Sequence, residues 1–228
     1  MSFNWSREAE KQWDCRADFW NKRSSAMWDS GSRKDIIPFI ENHLEKGNSI
    51  LDIGCGDGYG TQKLHNTGYK TTGIDLSGEM ISLAKKYAES KPISFFQADI
   101  NELPFERESF DAVMCINVLE WTEDPYMALR KICNVLKKGG MLCIGILGPT
   151  AGPRINSYPR LHGQKTICNT MMPWEFGKLA SESSNLSYIN GFGVYKKGVK
   201  KQHYSSLPEE LKQALSFMWV FMLRKVGE

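Results

Sequence analysis

Long apolar runs and paired cysteines are missing from this chain of 228 residues, and histidine is scarce, with four residues. No apolar run is long enough to cross a bilayer, and residues 1–13 are too polar for a signal sequence. The six cysteines are scattered without a C-x-x-C pair, so neither a disulfide framework nor a metal site is expected. The composition therefore favours a cytoplasmic protein with reduced thiols and a full hydrophobic core.

Acidic residues are absent from one long stretch, between Asp124 and Glu175. The net charge of +3 hides this asymmetry, because acidic residues outnumber basic ones only in the first 124 residues. One interpretation is a basic rim that attracts an anionic small molecule; the other is solvated lysines on the surface. Nucleic-acid binding is disfavoured because no RNA-binding module is visible. Membrane partners are not expected either, and the sequence does not indicate an oligomeric state.

A glycine-rich turn follows a short apolar run. Residues 50–53 are typical of a buried parallel strand, and Gly54, Gly56 and Gly58 alternate directly after it. A strand that ends in such a turn lets the backbone approach a ligand closely, and the helix predicted next offers free N–H groups. The same glycines occur in dinucleotide-binding turns, so the turn alone is not specific.

Carboxylates around this turn narrow the choice of ligand. Asp75 ends a second short apolar strand, where an acidic residue can accept hydrogen bonds from both hydroxyls of a ribose. The glycine spacing is G-x-G-x-G, with Asp52 before it and Asp57 inside it. Two carboxylates would repel a pyrophosphate but suit a cationic sulfonium and an amino group. The pattern predicts an adenosine-containing cofactor with those groups.

Seven sequence blocks continue the pattern along the chain. They are residues 51–58 (LDIGCGDG), 73–80 (GIDLSGEM), 97–100 (QADI), 103–105 (LPF), 110–113 (FDAV), 117–120 (NVLE) and 136–140 (LKKGG). In order and spacing they resemble the class I S-adenosylmethionine-dependent methyltransferases, above all the small-molecule branch that includes the ubiquinone and menaquinone C-methyltransferases. The resemblance covers about residues 35–147. Trp121 and Lys138 depart from it, since the family often has histidine and proline there.

The resemblance implies S-adenosylmethionine as cofactor and in-line transfer of its methyl group to a small-molecule acceptor. It implies that Asp75 holds the ribose, that Leu76 and Ile100 enclose the adenine ring, and that Asp99 accepts from the adenine amino group. The implied cofactor-binding residues are Gly54, Cys55, Gly56, Gly58, Asp75, Leu76, Met80, Asp99, Ile100 and Asn117, with Trp20 added from the N-terminal segment.

Strand-like and helix-like segments alternate, which predicts a parallel sheet covered by helices on both faces. Strands are predicted at 50–53, 70–74, 93–97, 110–116 and 141–147, and helices at 61–66, 78–89 and 123–136. The resemblance extends this to an α/β, Rossmann-like, seven-stranded, mostly parallel sheet. Right-handed crossovers place the ligand crevice at the carboxyl ends of the strands, where Gly54, Asp75, Asp99 and Asn117 fall.

Tryptophans and small residues recur in the N-terminal segment at three- and four-residue spacing, which puts them on one helical face. They are Trp5, Ala9, Trp13, Ala17, Trp20, Ser24 and Trp28. This face either packs on the sheet or forms a lid whose aromatic rings exclude water and contact the sulfonium. We expect a helical lid at 1–34, a cofactor-binding core at 35–147, and a substrate-side insertion with the C-terminal completion of the same domain at 148–228.

Residues 148–173 are rich in glycine and proline and predict a long irregular insertion. It is either disordered or supplies substrate contacts. The candidates are Arg154, Arg160, His162, Met171, Met172 and Trp174. A helix at 174–181, a strand at 186–195 and a closing helix at 207–224 are predicted next, while one further antiparallel strand of the family has no assigned position.

No catalytic residue stands out. A general base is required only if the acceptor must lose a proton, and His162, Glu120 and Tyr158 are the candidates. Two other functions stay open at this point. A nicotinamide-dependent oxidoreductase is disfavoured by the glycine spacing, and a non-catalytic protein that binds S-adenosylmethionine is compatible with every motif.

Overall fold

The computed structural model describes residues 3–182 and 185–227. Within these residues a seven-stranded sheet has the order β3-β2-β1-β4-β5-β7-β6. Its strands are β1 (Ser49–Ile53), β2 (Lys70–Asp75), β3 (Ser94–Gln97), β4 (Phe110–Ile116), β5 (Leu136–Leu147), β6 (Leu186–Val194) and β7 (Met218–Lys225). The first five strands pair in parallel, and β7 lies antiparallel between β5 and β6. The predicted α/β, mostly parallel sheet is confirmed.

Helices cover both faces of this sheet. The α-helices are α1 (Trp5–Asp14), α2 (Ala17–Asp29), α3 (Ile36–Glu41), α4 (Tyr59–Asn66), α5 (Gly78–Ala88), α6 (Pro125–Val135), α7 (Pro173–Glu182) and α8 (Glu209–Leu215). Residues of α6 and α7 belong to the apolar core on one face, whereas residues of α3 and α4 belong to the core on the other. None of the helices in the described residues has the length and apolar character needed to span a membrane.

Side-chain hydrogen bonds at the N-terminus determine where α5 and α6 begin. The Ser77 hydroxyl accepts a hydrogen bond from the backbone N–H of Met80 (3.1 Å) and so caps α5. The Asp124 carboxylate caps α6 in the same way through the N–H of Met127 (2.9 Å), and Pro125 opens that helix. Both caps follow directly from the sequence pattern.

The C-terminal prediction was wrong. Residues 207–224 do not form one helix, because α8 ends at Leu215 and the chain continues as β7. This is the antiparallel strand that had no assigned position. The run from Met218 to Leu223 is buried between the two apolar cores, so it shows no alternation that could distinguish a strand from a buried helix.

Two smaller differences concern the segments beside the sheet. The N-terminal helical face is divided at Cys15 and Arg16 into α1 and α2. The insertion after β5 is not irregular throughout, since Gly152–His162 forms 3-10 helical turns.

Candidate active site at the carboxyl edge of the sheet

A cavity opens at the carboxyl ends of β1, β2 and β4. The predicted residues that line it are Gly54, Gly56, Asp75, Leu76, Met80, Asp99, Ile100, Asn117 and Trp20. Cys55 and Gly58 do not line it, since the Cys55 side chain packs among Ile81 and Phe95 and Gly58 lies against Ala84.

The glycine turn is tied to the neighbouring strand. The backbone N–H groups of Gly54 and Cys55 both donate to the carbonyl of Ile74, at 2.8 and 2.9 Å. Gly54 and Gly56 have φ values of +70° and +56°, which a larger side chain adopts only with strain. A Cβ atom on Gly56 would stand 2.9 Å from the Trp20 indole nitrogen. Glycine therefore permits both the turn and the close approach of Trp20.

Asp75 is held in a fixed orientation at the end of β2. One carboxylate oxygen accepts from the N–H of Gly56 (2.8 Å) and the other from the N–H of Ser77 (2.9 Å). Burial raises the pKa of Asp75 to about 6, although both hydrogen bonds oppose the rise. Each oxygen retains a further lone pair for a ligand hydroxyl.

Two polar residues follow the adjacent strands. The Asp99 carboxylate accepts from the backbone N–H and the side-chain amide of Asn101, at 2.8 and 2.9 Å. Asn117 adopts a left-handed conformation with φ of +58°, an unusual one for a residue other than glycine. Its amide oxygen is buried and has no hydrogen-bond partner among the described residues. Such an acceptor at a cavity wall is available for a ligand N–H or O–H.

Sequence reasoning missed Arg33, a buried cation in the cavity wall. Its guanidinium carbon lies 4.7 Å from the ring centroid of Trp20 and 5.4 Å from that of Trp28. Burial lowers its pKa to about 10, against the pull of Asp52 and Asp57, so it is charged at neutral pH. No motif marks this arginine in the sequence; proximity to the tryptophan-rich segment was the only signal.

Buried carboxylates lie behind the cavity. Thr61 donates its hydroxyl to Asp52 (2.6 Å), and burial raises the pKa of Asp52 to about 7. Burial also raises the pKa of Asp57, which accepts from the Ser24 hydroxyl at 2.8 Å. In both groups burial thus favours the protonated, neutral form over the carboxylate.

Aromatic rings from α1 and α2 form another part of the wall. The Trp13 ring stands at right angles to Trp20 (centroids 6.0 Å apart) and to Trp121 (5.2 Å). The Trp5 indole N–H donates to the carbonyl of Trp121 at 2.6 Å. Trp28 instead belongs to the core beneath. Packing on the core therefore describes Trp28, and a lid formed by Trp5, Trp13 and Trp20 stays a prediction.

The general-base candidates do not line this cavity. Glu120 is fully buried, accepts from the backbone N–H of Leu147, and leaves one carboxylate oxygen without a partner among the described residues. Burial raises its pKa to about 7. Tyr158 and His162 are exposed and contact each other edge to face, with ring centroids 5.5 Å apart.

One residue of the insertion, Arg154, has a structural role. The Arg154 guanidinium donates to the carbonyls of Leu147, Gly148 (2.8 Å), Thr170 (3.1 Å) and Met171 (2.7 Å). Arg160 donates to the carbonyl of Ser157 at 3.2 Å. Met171 is buried in the core, while Met172 and Trp174 are partly exposed. None of the predicted insertion residues lines the cavity.

Comparison with known proteins agrees with this geometry. A family described as a methyltransferase domain matches residues 51–144. The ubiquinone biosynthesis O-methyltransferase of Coxiella burnetii is 30% identical over 145 residues, and the chain covers 59% of its length. The enzyme of the same name from Actinobacillus pleuropneumoniae is 25% identical over 229 residues, or 91% of this chain and 96% of the relative. These relatives are named O-methyltransferases, whereas the motifs pointed to C-methyltransferases.

Solved structures show the same fold. A putative methyltransferase from Haloferax volcanii, in complex with the activator Trm112, has a TM-score of 0.72 at 20% identity and covers 95% of this chain and 98% of its own. The [4+2]-cyclase SpnF has a TM-score of 0.72 at 19% identity, with 97% of each chain covered. Residues 51–144 thus match a methyltransferase domain, and the fold over nearly the whole chain is similar to that of the solved methyltransferase structure.

Proposed function

We propose that this protein transfers the methyl group of S-adenosylmethionine to a small-molecule acceptor. The observation that carries the proposal is that one cavity joins a fixed carboxylate, Asp75, a glycine turn and a buried cation, Arg33. An adenosine with an amino-acid tail requires these three features. The ribose needs a paired acceptor, the tail needs close backbone approach, and the tail carboxylate needs a cation.

The remaining lining residues fit the same cofactor. Leu76 and Ile100 supply apolar surface for the adenine ring, and Asp99 supplies an acceptor for its amino group. The unpaired amide oxygen of Asn117 suits the ammonium group of the tail.

The chain's own residues would chiefly align the reactants. When bound, the sulfonium supplies an activated methyl donor, so positioning accounts for much of the rate. The Asp75 carboxylate and Arg33 fix the two ends of the cofactor. Trp5, Trp13 and Trp20 exclude water from the space between them.

Calorimetric titration tests the cofactor assignment. Wild-type protein should bind S-adenosylmethionine and S-adenosylhomocysteine in the micromolar range and should not bind NAD. Asp75→Ala should weaken both by at least ~10-fold, because each lost hydrogen bond to a charged group costs about 1.5–3 kcal/mol. Asp111→Ala is the matched control, since Asp111 contacts Ser49 and Lys137 at the start of β4, outside the cavity. Binding of NAD alone would overturn the assignment.

Methyl transfer needs its own measurement. The same fold includes a protein described as a [4+2]-cyclase, so cofactor binding alone does not establish the reaction. Release of S-adenosylhomocysteine in the presence of an acceptor panel tests catalysis directly. Cofactor binding without release for any acceptor would favour the non-catalytic alternative.

Two parts of the sequence interpretation stay in this proposal. We keep the division into a lid (1–34), a cofactor-binding core (35–147) and a C-terminal completion (148–228). We also keep a cytoplasmic location, supported by the free thiols of all six cysteines, which suit a reducing compartment.

A further inference from the structure

The cavity contains a region that the cofactor assignment does not use. Its charged lining residues are Arg33, Asp75 and Asp99, and the proposed function assigns all three to the cofactor. Trp5, Trp13 and Trp121 remain, together with the hydroxyl residues Ser6 and Thr122. The surface left for an acceptor is therefore uncharged and mainly aromatic.

Two of the three indoles, Trp13 and Trp121, form a corner rather than a stack. Trp13 meets Trp121 at 88° with centroids 5.2 Å apart. The Trp5 N–H is directed to the Trp121 carbonyl, which fixes the two residues relative to each other. Rings at right angles present a face and an edge to the same space, and a ring face attracts cations.

The electrostatic surroundings also favour a cation over an anion. Arg33 is the one cationic lining residue in the described part of the chain, and the proposed function pairs it with the cofactor carboxylate. An acceptor anion would face Asp75 and Asp99, the two carboxylates that line the cavity, and would be repelled by them. The basic residues beyond position 124 do not line the cavity, so they cannot offset this repulsion.

No group in the cavity wall is placed to remove a proton from an acceptor. The wall contains no histidine, lysine or tyrosine among the described residues, and Glu120 lies outside it. An alcohol or phenol would need to lose its proton and carry negative charge beside the acidic residues. A neutral amine supplies its own lone pair and gains positive charge.

We propose, resting on the proposed function, that the acceptor is an uncharged amine and that Trp5, Trp13 and Trp121 hold the ammonium product. The amine nitrogen supplies the electron pair of the new N–C bond. The C–S bond breaks and leaves its pair on sulfur, which gives S-adenosylhomocysteine. Any N–H proton of the ammonium is lost to water after release.

A pair of shape-matched probes isolates the effect of charge. Choline and 3,3-dimethylbutan-1-ol have the same shape and differ in the charge of the quaternary centre. Protein saturated with S-adenosylhomocysteine is titrated with each in a calorimeter. We expect choline to bind at least ~10-fold more tightly, and Trp121→Leu to remove most of that preference.

Two further variants test whether the preference for choline depends on the aromatic ring of Trp121. Trp121→Phe keeps a weaker aromatic face and should retain an intermediate preference. Phe19→Leu, an exposed position of α2 outside the cavity, should leave the preference unchanged. Unchanged affinity for S-adenosylhomocysteine in all variants shows that the fold is intact.

The outcomes separate the two proposals. Equal binding of choline and its isostere, or tighter binding of 4-hydroxybenzoate than of choline, overturns the amine proposal alone. Failure of wild-type protein to bind S-adenosylhomocysteine overturns the proposed function, and the amine proposal with it. Release of S-adenosylhomocysteine with amines but not with matched phenols supports both.

Discussion

At the scale of single residues, we expect Arg33 to contact the amino-acid tail of the proposed cofactor and not its adenosine. Its guanidinium rests on Trp20 and Trp28 and is the cation available to a ligand carboxylate. Arg33→Met should weaken S-adenosylmethionine binding by about 10- to 100-fold, the usual value of a charged hydrogen bond. It should leave 5′-methylthioadenosine unaffected, because that ligand lacks the amino-acid tail. Calorimetry with both ligands makes the comparison.

The control for this change is Arg23→Met, an exposed arginine of α2 that stacks on Phe19 outside the cavity. It should alter neither affinity. An equal loss of both ligands in Arg33→Met would mean that the residue supports the cavity wall without contacting the tail.

Glu120 should make the stability of the protein depend on pH. Burial raises its pKa from 4.5 to about 7, so the folded state binds this proton more tightly than the unfolded chain. The contribution to stability is complete below pH 4.5 and is lost as pH rises through 7, a change of about 3 kcal/mol. In Glu120→Gln this loss disappears, so the variant should gain about 3 kcal/mol relative to wild type between pH 4.5 and 8.5.

Urea unfolding at the two pH values measures the difference. Asp52 and Asp75 titrate in both proteins, so their contributions to the pH dependence of stability cancel when the variant is compared with wild type. Glu123→Gln, at an exposed position nearby, should show the wild-type dependence. An identical pH profile for Glu120→Gln and wild type would contradict the assignment of the raised pKa to Glu120.

Some residues of the cavity could be predicted from the sequence, and others could not. The position of Asp75 and Gly54 at the cavity could be predicted from the sequence. Each residue directly ends or follows a strand that the sequence pattern indicates. Arg33 reaches the cavity only through the packing of α2 and the segment after it, so no local pattern identifies it. Cys55 and Gly58 lie in the same turn but do not line the cavity, because they face Phe95 and Ala84 instead.

At the scale of elements, polar contacts hold α1 against the core. The Ser77 hydroxyl donates to the Asp14 carboxylate at 2.5 Å, and the N–H of Glu79 donates to it at 3.3 Å. Asp14 thereby places a negative charge at the N-terminus of α5, where the helix dipole favours it. Gln97 adds a contact to Glu10 at 2.8 Å. We infer that these contacts keep the aromatic wall closed.

Removing Asp14 should loosen α1 without unfolding the core. In Asp14→Ala, amide hydrogen exchange should rise by about 3- to 10-fold in α1 and stay unchanged in β1 and β4, since lost charge-assisted contacts weaken closure by about 1 kcal/mol. S-adenosylhomocysteine should dissociate faster by a similar factor. Asp18→Ala, an exposed change on α2, is the control. Unaltered exchange in α1 would show that the aromatic contacts alone hold it.

The elements of the sheet were predictable to different degrees for a physical reason. β1, β2 and β4 are short apolar runs, each followed by a turn or an acidic residue that marks its end. β7 has no such boundary, because Pro208 and the following acidic residues begin α8 directly before it. The apolar run of β7 is equally compatible with a buried helix and a buried strand. Only its antiparallel pairing with β5 and β6 shows that it is a strand.

At the scale of the whole molecule, the cavity lining and the C-terminal part are separate in sequence, although Trp121 of the lining packs with Leu147, Ile167 and Cys168. Every lining residue precedes position 123, while β6, β7 and α7 complete the sheet and its core on the far side. The basic C-terminal half therefore supports the site without forming its wall. Lys225 illustrates this, since its buried ammonium donates to the carbonyls of Cys133 (2.9 Å) and Leu136 (2.7 Å) after α6.

This separation predicts that global stability and ligand affinity can be changed independently. Phe221 of β7 is 2% exposed and contacts Phe176 with ring centroids 5.0 Å apart. Phe221→Ala should cost about 3–5 kcal/mol of unfolding free energy through the cavity it creates. Affinity for S-adenosylhomocysteine at 25 °C should stay within about twofold, because sites without shared contacts behave nearly additively.

Urea unfolding and calorimetry on the same preparations measure both quantities. Phe19→Ala removes the same ring from a position that is 59% exposed, so it should change neither quantity appreciably. A loss of affinity in Phe221→Ala comparable to the loss of stability would show that packing beyond β5 shapes the cavity. Preserved affinity would instead show that β1, β2 and β4, with the helices over them, hold the site geometry within a sheet that the C-terminal strands only stabilise.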